Sequence, residues 1–303
     1  MKVHYWMSVA ELKRKIHQVT GMSIASQRLF AKNCELENNQ MLEFYNIFKK
    51  GKNKIRLIQK RTLEGSNSFI EPYGDVPHNE LPSKIVAIMT EINKGMAIGL
   101  SPQLTFDGTA GTYLLRDQNR NIMGVFKPID EEAYAPNNPR GFVGDFGQKS
   151  LRNGVLSGEG VIREVASYLM DHKHFSCVPP TIFAEVMHPS FNWTISQETD
   201  SSNWVSTSKE YQNVITSLVD PSSSEGCSDS TKTGTKGAKP SSKKLGLKYG
   251  SLQYFVRADD TASNYSYDLF SVDEVHKIGV LDLRIFNLDR NDGNILVRKT
   301  ASK

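Results

Sequence analysis

Residues 280–297 read VLDLRIFNLDRNDGNILV, and this run is a strong indication of the fold. Its apolar ends enclose a polar turn in which Asn294 follows Asp289 by five residues. In a phosphotransferase catalytic loop, an aspartate at the first position orients the attacking hydroxyl and accepts its proton, while an amide oxygen at the second holds a metal ion. Asp-Gly-Asn turns also occur in plain hairpins. The apolar flanks and the Asp-to-Asn spacing favour the catalytic loop over that alternative.

A glycine turn precedes this loop in the chain. Residues 105–115 read as strand, glycine turn and strand. Glycines let backbone N–H groups approach phosphate oxygens with no Cβ in the way, although glycine turns are also common in hairpins. The candidate phosphate-binding residues of the turn are Gly108, Thr109, Ala110, Gly111 and Thr112.

The next predicted strand, over 122–127, ends in Lys127, and a helix is predicted over 160–171. In kinase-like folds a strand lysine binds the nucleotide's phosphates and a helix carboxylate holds that lysine in place. Glu164 lies one turn into the helix and is the candidate partner, with Val161, Val165 and Leu169 predicted to face inward. A surface lysine at a strand end is the alternative interpretation of Lys127.

Six blocks of sequence resemble, in the same order, the phosphatidylinositol 4-kinases, and most closely the gamma-type family that joins ubiquitin-like repeats to a catalytic domain. The blocks are VFKP at 125–128, YAPNNPRGFVG at 134–144, REVASYL at 163–169, VPPT at 178–181, GSLQYFV at 250–256 and the loop around Asp289. The resemblance implies a two-lobed, kinase-like α+β domain over 83–303. It implies ATP and Mg²⁺ as cofactors, and transfer of the γ-phosphate to the inositol 4-hydroxyl of phosphatidylinositol or to protein Ser/Thr.

The resemblance also implies roles for single residues. Lys127 resembles the ATP lysine, Glu164 its helix partner, and Asp289, followed by Arg290, the catalytic aspartate of the loop. Asn294 resembles a magnesium ligand. The segment between the lobes, whose backbone hydrogen-bonds adenine, corresponds to Gln253, Tyr254, Phe255 and Val256.

The family region that meets substrate and membrane corresponds to residues 135–152. Apolar and basic side chains together suit such an interface. The candidates for membrane or substrate contact are Phe142, Val143, Phe146, Lys149 and Arg152. Related type II lipid kinases carry a palmitoylated cysteine cluster there, and this chain has none, so a weaker hold on the membrane is expected.

Residues 1–61 predict a small α+β module. Ser8 and Glu11 form a capping-box pattern before a helical apolar period, and Gly21 is a natural stop. The runs SQRLFA at 26–31, ELE at 35–37 and YNI at 45–47 resemble ubiquitin in order and nearly in spacing. The first hairpin of that β-grasp fold has no counterpart here, and no Gly-Gly pair follows Leu57, so conjugation is not expected. Phe30 and Ile58 either face outward as a recognition surface for a ubiquitin-system partner or are buried.

Two polar stretches separate these regions. Residues 62–82 carry several Gly and Pro residues and are predicted to be a linker, and a helix is predicted over 83–96. Residues 197–248 lack an apolar period and are predicted to be a disordered insertion. Between Thr231 and Gly250 the chain has six lysines and no carboxylate. This basic tract either sits on anionic lipid or is a solvated loop.

Composition limits the remaining classes. The 303 residues carry a formal net charge of +4, and three cysteines lie far apart with no metal-ligand spacing, which predicts a reducing compartment. There is no signal-peptide pattern and no apolar run that would span a bilayer. The sequence predicts a cytoplasmic protein, with peripheral membrane and nuclear locations left open and no nucleic acid as partner.

One departure bears on activity. After residue 297 the family continues to an Asp-x-Gly-type motif whose aspartate bridges magnesium to the phosphates, whereas this sequence reads RKTASK and ends. We therefore expect a chain truncated at both ends. Three hypotheses stay open at this point: an active kinase, a catalytically dead adaptor that uses the ubiquitin-like segment, and a non-functional fragment. Magnesium dependence of turnover separates the first two.

Overall fold

The computed structural model describes residues 3–31, 34–45, 47–48, 54–59, 68–74, 76, 80–151, 154–192 and 247–299. They fall in two compact units. The first takes its described residues from Met1–Asn67 and Pro72–Glu80, and the second from Ser68–Glu71, Leu81–Gln197 and Lys243–Lys303. Each unit combines helix and sheet. The mixed α and β character predicted from the sequence is confirmed.

The first unit begins with helix α1, Val9–Thr20. The Ser8 hydroxyl accepts a hydrogen bond from the Glu11 N–H at 3.2 Å, and the Glu11 carboxylate accepts one from the Ser8 N–H at 3.0 Å. Gly21 ends the helix in the left-handed conformation, at a φ of 74°. The capping box and the glycine stop are therefore both as predicted, because each depends only on neighbouring residues.

A three-stranded antiparallel sheet follows in the order β2–β1–β3. Its strands are β1, Gln27–Ala31, β2, Cys34–Glu35, and β3, Arg56–Gln59. Strand β3 starts two residues later than the sequence predicts. The sheet and α1 share an apolar core made of Met7, Val9, Leu12, Ile16, Leu29, Ala31, Leu36, Leu42 and Ile47.

Phe30 is a buried residue of this unit. Its side chain is 2% exposed, and the guanidinium carbon of Arg28 lies 4.9 Å from its ring centroid. The hypothesis that Phe30 faces outward as a recognition surface is therefore wrong, and the buried alternative is right. The side chain of Ile58 lies outside the described residues.

The second unit is built on a six-stranded sheet in the order β4–β8–β9–β7–β6–β5. Strands β5 to β9 pair antiparallel along this order. The bounds are β4, Phe69–Pro72, β5, Gln103–Leu104, β6, Tyr113–Arg116, β7, Ile122–Pro128, β8, Thr181–Met187, and β9, Leu247–Tyr254.

Two predicted boundaries differ from this sheet. Strand β4 lies inside the segment predicted as a linker, where Phe69 and Ile70 are buried. Strand β9 begins at Leu247, so the last two residues of the predicted insertion belong to the sheet, and residues 197–246 lie outside the described residues. In both places the strand begins inside a polar stretch of sequence, so composition did not indicate it.

Helix α2, Ser83–Ala97, packs on this sheet with Ile85, Ile88, Met89 and Ile92 buried, as its helical period predicts. Asn93 ties it to the edge strand, since its side-chain amide exchanges hydrogen bonds of 2.9 Å with both backbone groups of Ile70. The core between helix and sheet also contains Tyr113, Leu115, Phe126, Ala184, Val186 and Leu252.

Two further helices complete the second unit: α3, Gly160–Met170, and α4, Val272–Ile285. A small antiparallel pair, β10, Asp260–Thr261, and β11, Leu296–Val297, lies on either side of α4 in the chain. Val161 of α3 is buried, but Leu169 is 66% exposed; the prediction that Leu169 faces inward is therefore wrong. Among the described helices none is both long and apolar enough to cross a bilayer.

Candidate active site

Lys127 and Glu164 form an ion pair that joins β7 to α3. Glu164 Oε2 also accepts a hydrogen bond from the Ser251 hydroxyl of β9 at 2.8 Å. Burial lowers the pKa of Lys127, but the Glu164 carboxylate raises it and prevails, with smaller contributions from Asp289 and Glu132. Lys127 is therefore a fully charged lysine held by a helix carboxylate, with 34% of its side chain still exposed.

The loop after α4 carries Asp289. Its backbone N–H donates to Asn287 Oδ1 at 2.9 Å, and its carbonyl accepts from Asn294 Nδ2 at 2.7 Å. Because the Asp289 charge contributes to the raised pKa of Lys127, the fold brings these two predicted residues, 162 positions apart in the sequence, into one electrostatic site.

Asp282, which the sequence analysis missed, organises this loop from the last turn of α4. Its carboxylate accepts hydrogen bonds from Arg290 Nη2 at 2.7 Å and Nε at 2.8 Å, and from Asn287 Nδ2 at 2.8 Å. Burial by itself raises the pKa of Asp282, but the hydrogen bonds from Arg290 and Asn287 outweigh it, so the pKa is lowered overall. The sequence signal that could have indicated this pair is Asp282 near the end of a helix, eight residues before Arg290.

Arg290, predicted to be part of the catalytic loop, makes its hydrogen bonds within that loop. Two of its nitrogens bind Asp282, and Nη1 donates to the Asn294 carbonyl at 3.3 Å. The charged end of Arg290 is thus used inside the loop, where it fixes the turn that presents Asp289.

Asn294 lies in the short 3₁₀ turn Asp292–Asn294, and its side-chain N–H donates to the Asp289 carbonyl. This contact uses the amide nitrogen, and the amide oxygen Oδ1 is an oxygen of the kind that Mg²⁺ prefers. No cluster of three or more His, Cys, Asp or Glu side chains suited to a metal occurs among the described residues. A single amide oxygen does not by itself make a metal site, and a magnesium ion at Asn294 would need further ligands from phosphates and water.

The glycine turn between β5 and β6 lies at the end of the sheet. Within the described part of the chain, the N–H groups of Gly108, Thr109 and Ala110 make no hydrogen bond, as phosphate donors require. The Thr112 carbonyl accepts from the Thr105 N–H at 2.9 Å and closes the turn. Gly111 differs from its predicted role, since its N–H donates to the Glu131 carbonyl at 2.8 Å and is not available to a phosphate oxygen.

Arg140 and Asn138 donate hydrogen bonds to backbone carbonyls in and before this glycine turn. The Arg140 guanidinium donates to the Phe106 carbonyl at 3.0 Å and to the Thr105 carbonyl. Asn138 Nδ2 donates to the Thr109 carbonyl at 2.8 Å. Both residues belong to the block at 134–144, whose sequence was assigned only to substrate and membrane contact.

A buried charge cluster lies beneath the turn and was also missed. Lys248 has a side chain that is 0% exposed and pairs with Asp130 and Glu131. Glu131 further accepts a hydrogen bond from the Tyr113 hydroxyl at 2.7 Å. Buried charges persist only when paired and hydrogen-bonded. Lys248 was one of the six lysines of the predicted basic tract, so that lysine is not available to a lipid surface.

The predicted adenine-binding segment is the end of β9 and the residues after it. Gln253 pairs on both sides within the sheet, the Tyr254 N–H donates to the Pro180 carbonyl at 2.9 Å, and the Phe255 N–H donates to the Met123 carbonyl at 3.0 Å. Val256 is the first residue of the segment whose N–H has no hydrogen-bond partner among the described residues.

The predicted membrane-contact residues differ in their exposure to solvent. Val143 is 53% exposed and Lys149 is exposed, whereas Phe142 and Phe146 are partly buried and Arg152 lies outside the described residues. Phe142 packs edge-on against Tyr134, with ring centroids 6.2 Å apart. Leu151 is another large apolar side chain exposed in this segment, and Leu156 is exposed just beyond it.

Comparison with known proteins identifies the family of this chain. The family described as phosphatidylinositol 3- and 4-kinase matches residues 108–303. Phosphatidylinositol 4-kinase gamma 7 of Arabidopsis thaliana is 36% identical over 223 residues, which are 73% of this chain and 28% of that protein. Phosphatidylinositol 4-kinase gamma 2 of the same plant is 30% identical over 301 residues, covering 91% of this chain and 47% of that protein.

The chain thus spans less than half the length of these curated relatives. The family match covers both the glycine turn and the Asp289 loop, and it includes Lys127 and Glu164. On the matched residues, this chain belongs to the phosphatidylinositol 3- and 4-kinase family.

Proposed function

We propose that this chain carries out ATP-dependent phosphoryl transfer to the inositol 4-hydroxyl of phosphatidylinositol. The observation that carries the proposal is the Lys127–Glu164 ion pair beside the Asp289 loop, in a chain whose relatives are named phosphatidylinositol 4-kinases. Phosphoryl transfer depends mainly on positioning and on stabilising charge, and these residue types supply both.

The nucleotide is proposed to lie between the glycine turn and the Asp289 loop. The Lys127 ammonium binds phosphate oxygens, and the unpaired N–H groups of the turn add donors to them. The Val256 N–H binds adenine, because the N–H groups of the two preceding residues are already used within the sheet.

The Asp289 carboxylate is proposed to orient the acceptor hydroxyl and accept its proton. Mg²⁺, when bound, would neutralise charge on the phosphates, and Asn294 Oδ1 would supply a protein oxygen to it. The Asp282–Arg290 pair and the hydrogen bond from Asn294 Nδ2 to the Asp289 carbonyl hold these two residues in one loop.

The same proposal extends to location and to the first unit. Val143, Leu151 and Leu156 with Lys149 form a mixed apolar and basic set that suits the surface of a cytoplasmic membrane leaflet. We further propose that the first unit is a ubiquitin-like module that binds a partner of the ubiquitin system. The support is the order of α1 and β1–β3 together with the ubiquitin-like runs of sequence.

The test is transfer of ³²P from ATP to phosphatidylinositol in vesicles, with and without Mg²⁺, for the wild-type chain and for Lys127→Met and Asp289→Ala. Each variant is expected to lose activity by about a hundredfold or more. Lys94→Met and Asp273→Ala, both at exposed positions, serve as matched controls.

Full activity in either site variant would overturn the assignment of that residue. Label on casein instead of lipid would favour the protein acceptor. Nucleotide binding without transfer to either acceptor would favour the adaptor hypothesis.

A further inference from the structure

Glu132 binds the beginning of helix α3. Its Oε1 accepts a hydrogen bond from the Val161 N–H at 2.7 Å, and its Oε2 accepts from the N–H groups of Gly158 at 2.9 Å and Gly160 at 3.1 Å. The first N–H groups of a helix have no partner within the helix, and the helix dipole favours a negative charge there. One carboxylate therefore satisfies three donors at the start of α3.

The backbone around this carboxylate leaves little room for any other arrangement. A Cβ on Gly160 would lie 3.2 Å from Cδ, Oε1 and Oε2 of Glu132, closer than most real contacts of a Cβ. A helix N-terminus after a glycine-rich turn commonly binds an external anion. Here the protein's own carboxylate occupies that position.

The helix that Glu132 binds is the one that carries Glu164. Glu164 follows Gly160 by four residues, about one helical turn, and Glu132 follows Lys127 by five residues after the end of β7. Glu132 and Glu164 both contribute to the raised pKa of Lys127, so all three charged groups lie close together. Two contacts therefore join the end of β7 to α3. Glu132 binds the first turn of the helix, and Lys127 binds Glu164 one turn later.

We infer that Glu132 is a positioning residue of the active site: by binding the N-terminus of α3, it places Glu164 where Glu164 holds Lys127. The inference rests on the proposed function for its catalytic consequence, but the placement of Lys127 can be measured without any transfer. Glu132 does not itself contact the reacting groups in this account. It sets the ion pair through the backbone of the helix.

A neighbouring carboxylate provides the matched control. Glu159 lies in the same turn, but among the described residues it accepts a hydrogen bond only from the Leu156 N–H, at 3.2 Å, and its carboxylate lies 3.7 Å from Arg163 Nε. Glu159→Gln therefore removes the same charge next to α3 without touching the three N–H groups that Glu132 binds. Burial raises the pKa of Glu132 to about 7, although its three N–H donors lower it, so measurements at pH 8 keep this carboxylate ionised.

The experiment measures the acetylation rate of Lys127 in the full chain at pH 8, without nucleotide, by mass spectrometry after brief treatment with an N-hydroxysuccinimide acetate. Losing the ion pair lowers the pKa of Lys127, and the reactive neutral amine increases about tenfold for each unit. We expect Glu132→Gln to raise the rate about threefold to tenfold, toward the rate of Glu164→Gln. Glu159→Gln is expected to leave the rate unchanged.

The double variant Glu132→Gln with Glu164→Gln decides how the two residues are connected. The Glu132 charge also raises the pKa of Lys127 directly, so the double variant is expected to acetylate Lys127 slightly faster than Glu164→Gln alone. If Glu132 acts mainly through Glu164, the increase stays well below the product of the two single effects, and the losses in kcat/KM for ATP are likewise non-additive. Fully additive effects, or a wild-type acetylation rate in Glu132→Gln, would overturn the inference.

A second variant covers the case in which Glu132→Gln does not fold. In Gly160→Ala the added methyl group lies against the Glu132 carboxylate and displaces it from the helix N–H groups. This variant is expected to raise the Lys127 acetylation rate by a smaller factor than Glu132→Gln does. An unchanged rate in a folded Gly160→Ala chain would count against the inference. The chain could show the expected acetylation pattern and still transfer no phosphate. That result would support the role of Glu132 in positioning Lys127 and would contradict the proposed function.

Discussion

Gly111 and Glu131 lie so close together that a Cβ on Gly111 would be 2.3 Å from Oε2 of Glu131. The Gly111 N–H also donates to the Glu131 carbonyl. Because Glu131 in turn binds Lys248 and Tyr113, the glycine turn rests directly on the buried charge cluster. Residue 111 is therefore required to be glycine, because the Glu131 carboxylate occupies the space that any Cβ would need.

Gly111→Ala is expected to lower the free energy of unfolding by about 1–3 kcal/mol, because the added methyl group displaces a buried, paired carboxylate. Gly279→Ala is the control: a Cβ there meets nothing within 4 Å, and alanine is the better helix former by about 1 kcal/mol. Urea denaturation of the two variants measures the difference. A Gly111→Ala chain as stable as wild type would show that the cluster can move aside.

Tyr113→Phe is expected to cost about 1–3 kcal/mol of stability, since it leaves a buried carboxylate oxygen of Glu131 without its donor. Tyr267→Phe removes a hydroxyl bond of similar length, 2.9 Å to Asp292 Oδ2, at an exposed position. That control is expected to cost only a few tenths of a kcal/mol. Equal costs in thermal or urea unfolding would contradict the importance of burial at Tyr113.

The stability contributed by Glu131 is expected to depend on pH. Burial raises the pKa of Glu131 to about 7 in the folded chain, so the folded state binds this proton more tightly than the unfolded state. The contribution is full below about pH 4.5 and is lost as the pH rises through about 7.

The difference in unfolding free energy between wild type and Glu131→Gln should therefore fall by up to about 3 kcal/mol between pH 5 and pH 8. Urea denaturation across this range is the measurement, with Asp145→Asn as an exposed control. A difference that stays constant with pH would mean that Glu131 titrates normally.

Arg140→Lys is expected to raise the KM for ATP about tenfold with little change in stability, because lysine lacks the planar fork by which two guanidinium nitrogens each bind one carbonyl of the glycine turn. The same change at the exposed Arg120 serves as its control. Initial rates over a range of ATP concentrations give the answer. A changed kcat with an unchanged KM would place Arg140 outside the organisation of the phosphate-binding turn.

Asp282→Asn is expected to lower kcat about tenfold to a hundredfold, because the two charge-assisted bonds to Arg290 that hold the Asp289 loop are lost. The KM for ATP should change little, since Lys127 and the glycine turn are untouched. Asp273→Asn, at an exposed position in the first turn of the same helix, is the control. Wild-type kcat in Asp282→Asn would show that the loop holds its shape without this pair.

The local features of this protein were determined by the sequence alone. The capping box before α1, the glycine that ends it, the buried stripe of α2 and strand β7 up to Lys127 each depend on residues within a few positions of one another. Side-chain periodicity and cap chemistry report such features directly. The order of the sequence blocks likewise indicated the family before any contact was known.

Only the tertiary structure decided which polar residues are buried and which apolar residues are exposed. Lys248 reads as part of a basic tract, yet it pairs with Asp130, 118 positions earlier in the chain, and Leu169 reads as a core position but is exposed. Glu132 reads as an ordinary acidic residue after a strand, yet it caps a helix that begins 28 residues later. The physical reason is that burial and pairing depend on contacts between segments distant in sequence, and a local pattern carries no information about the partner.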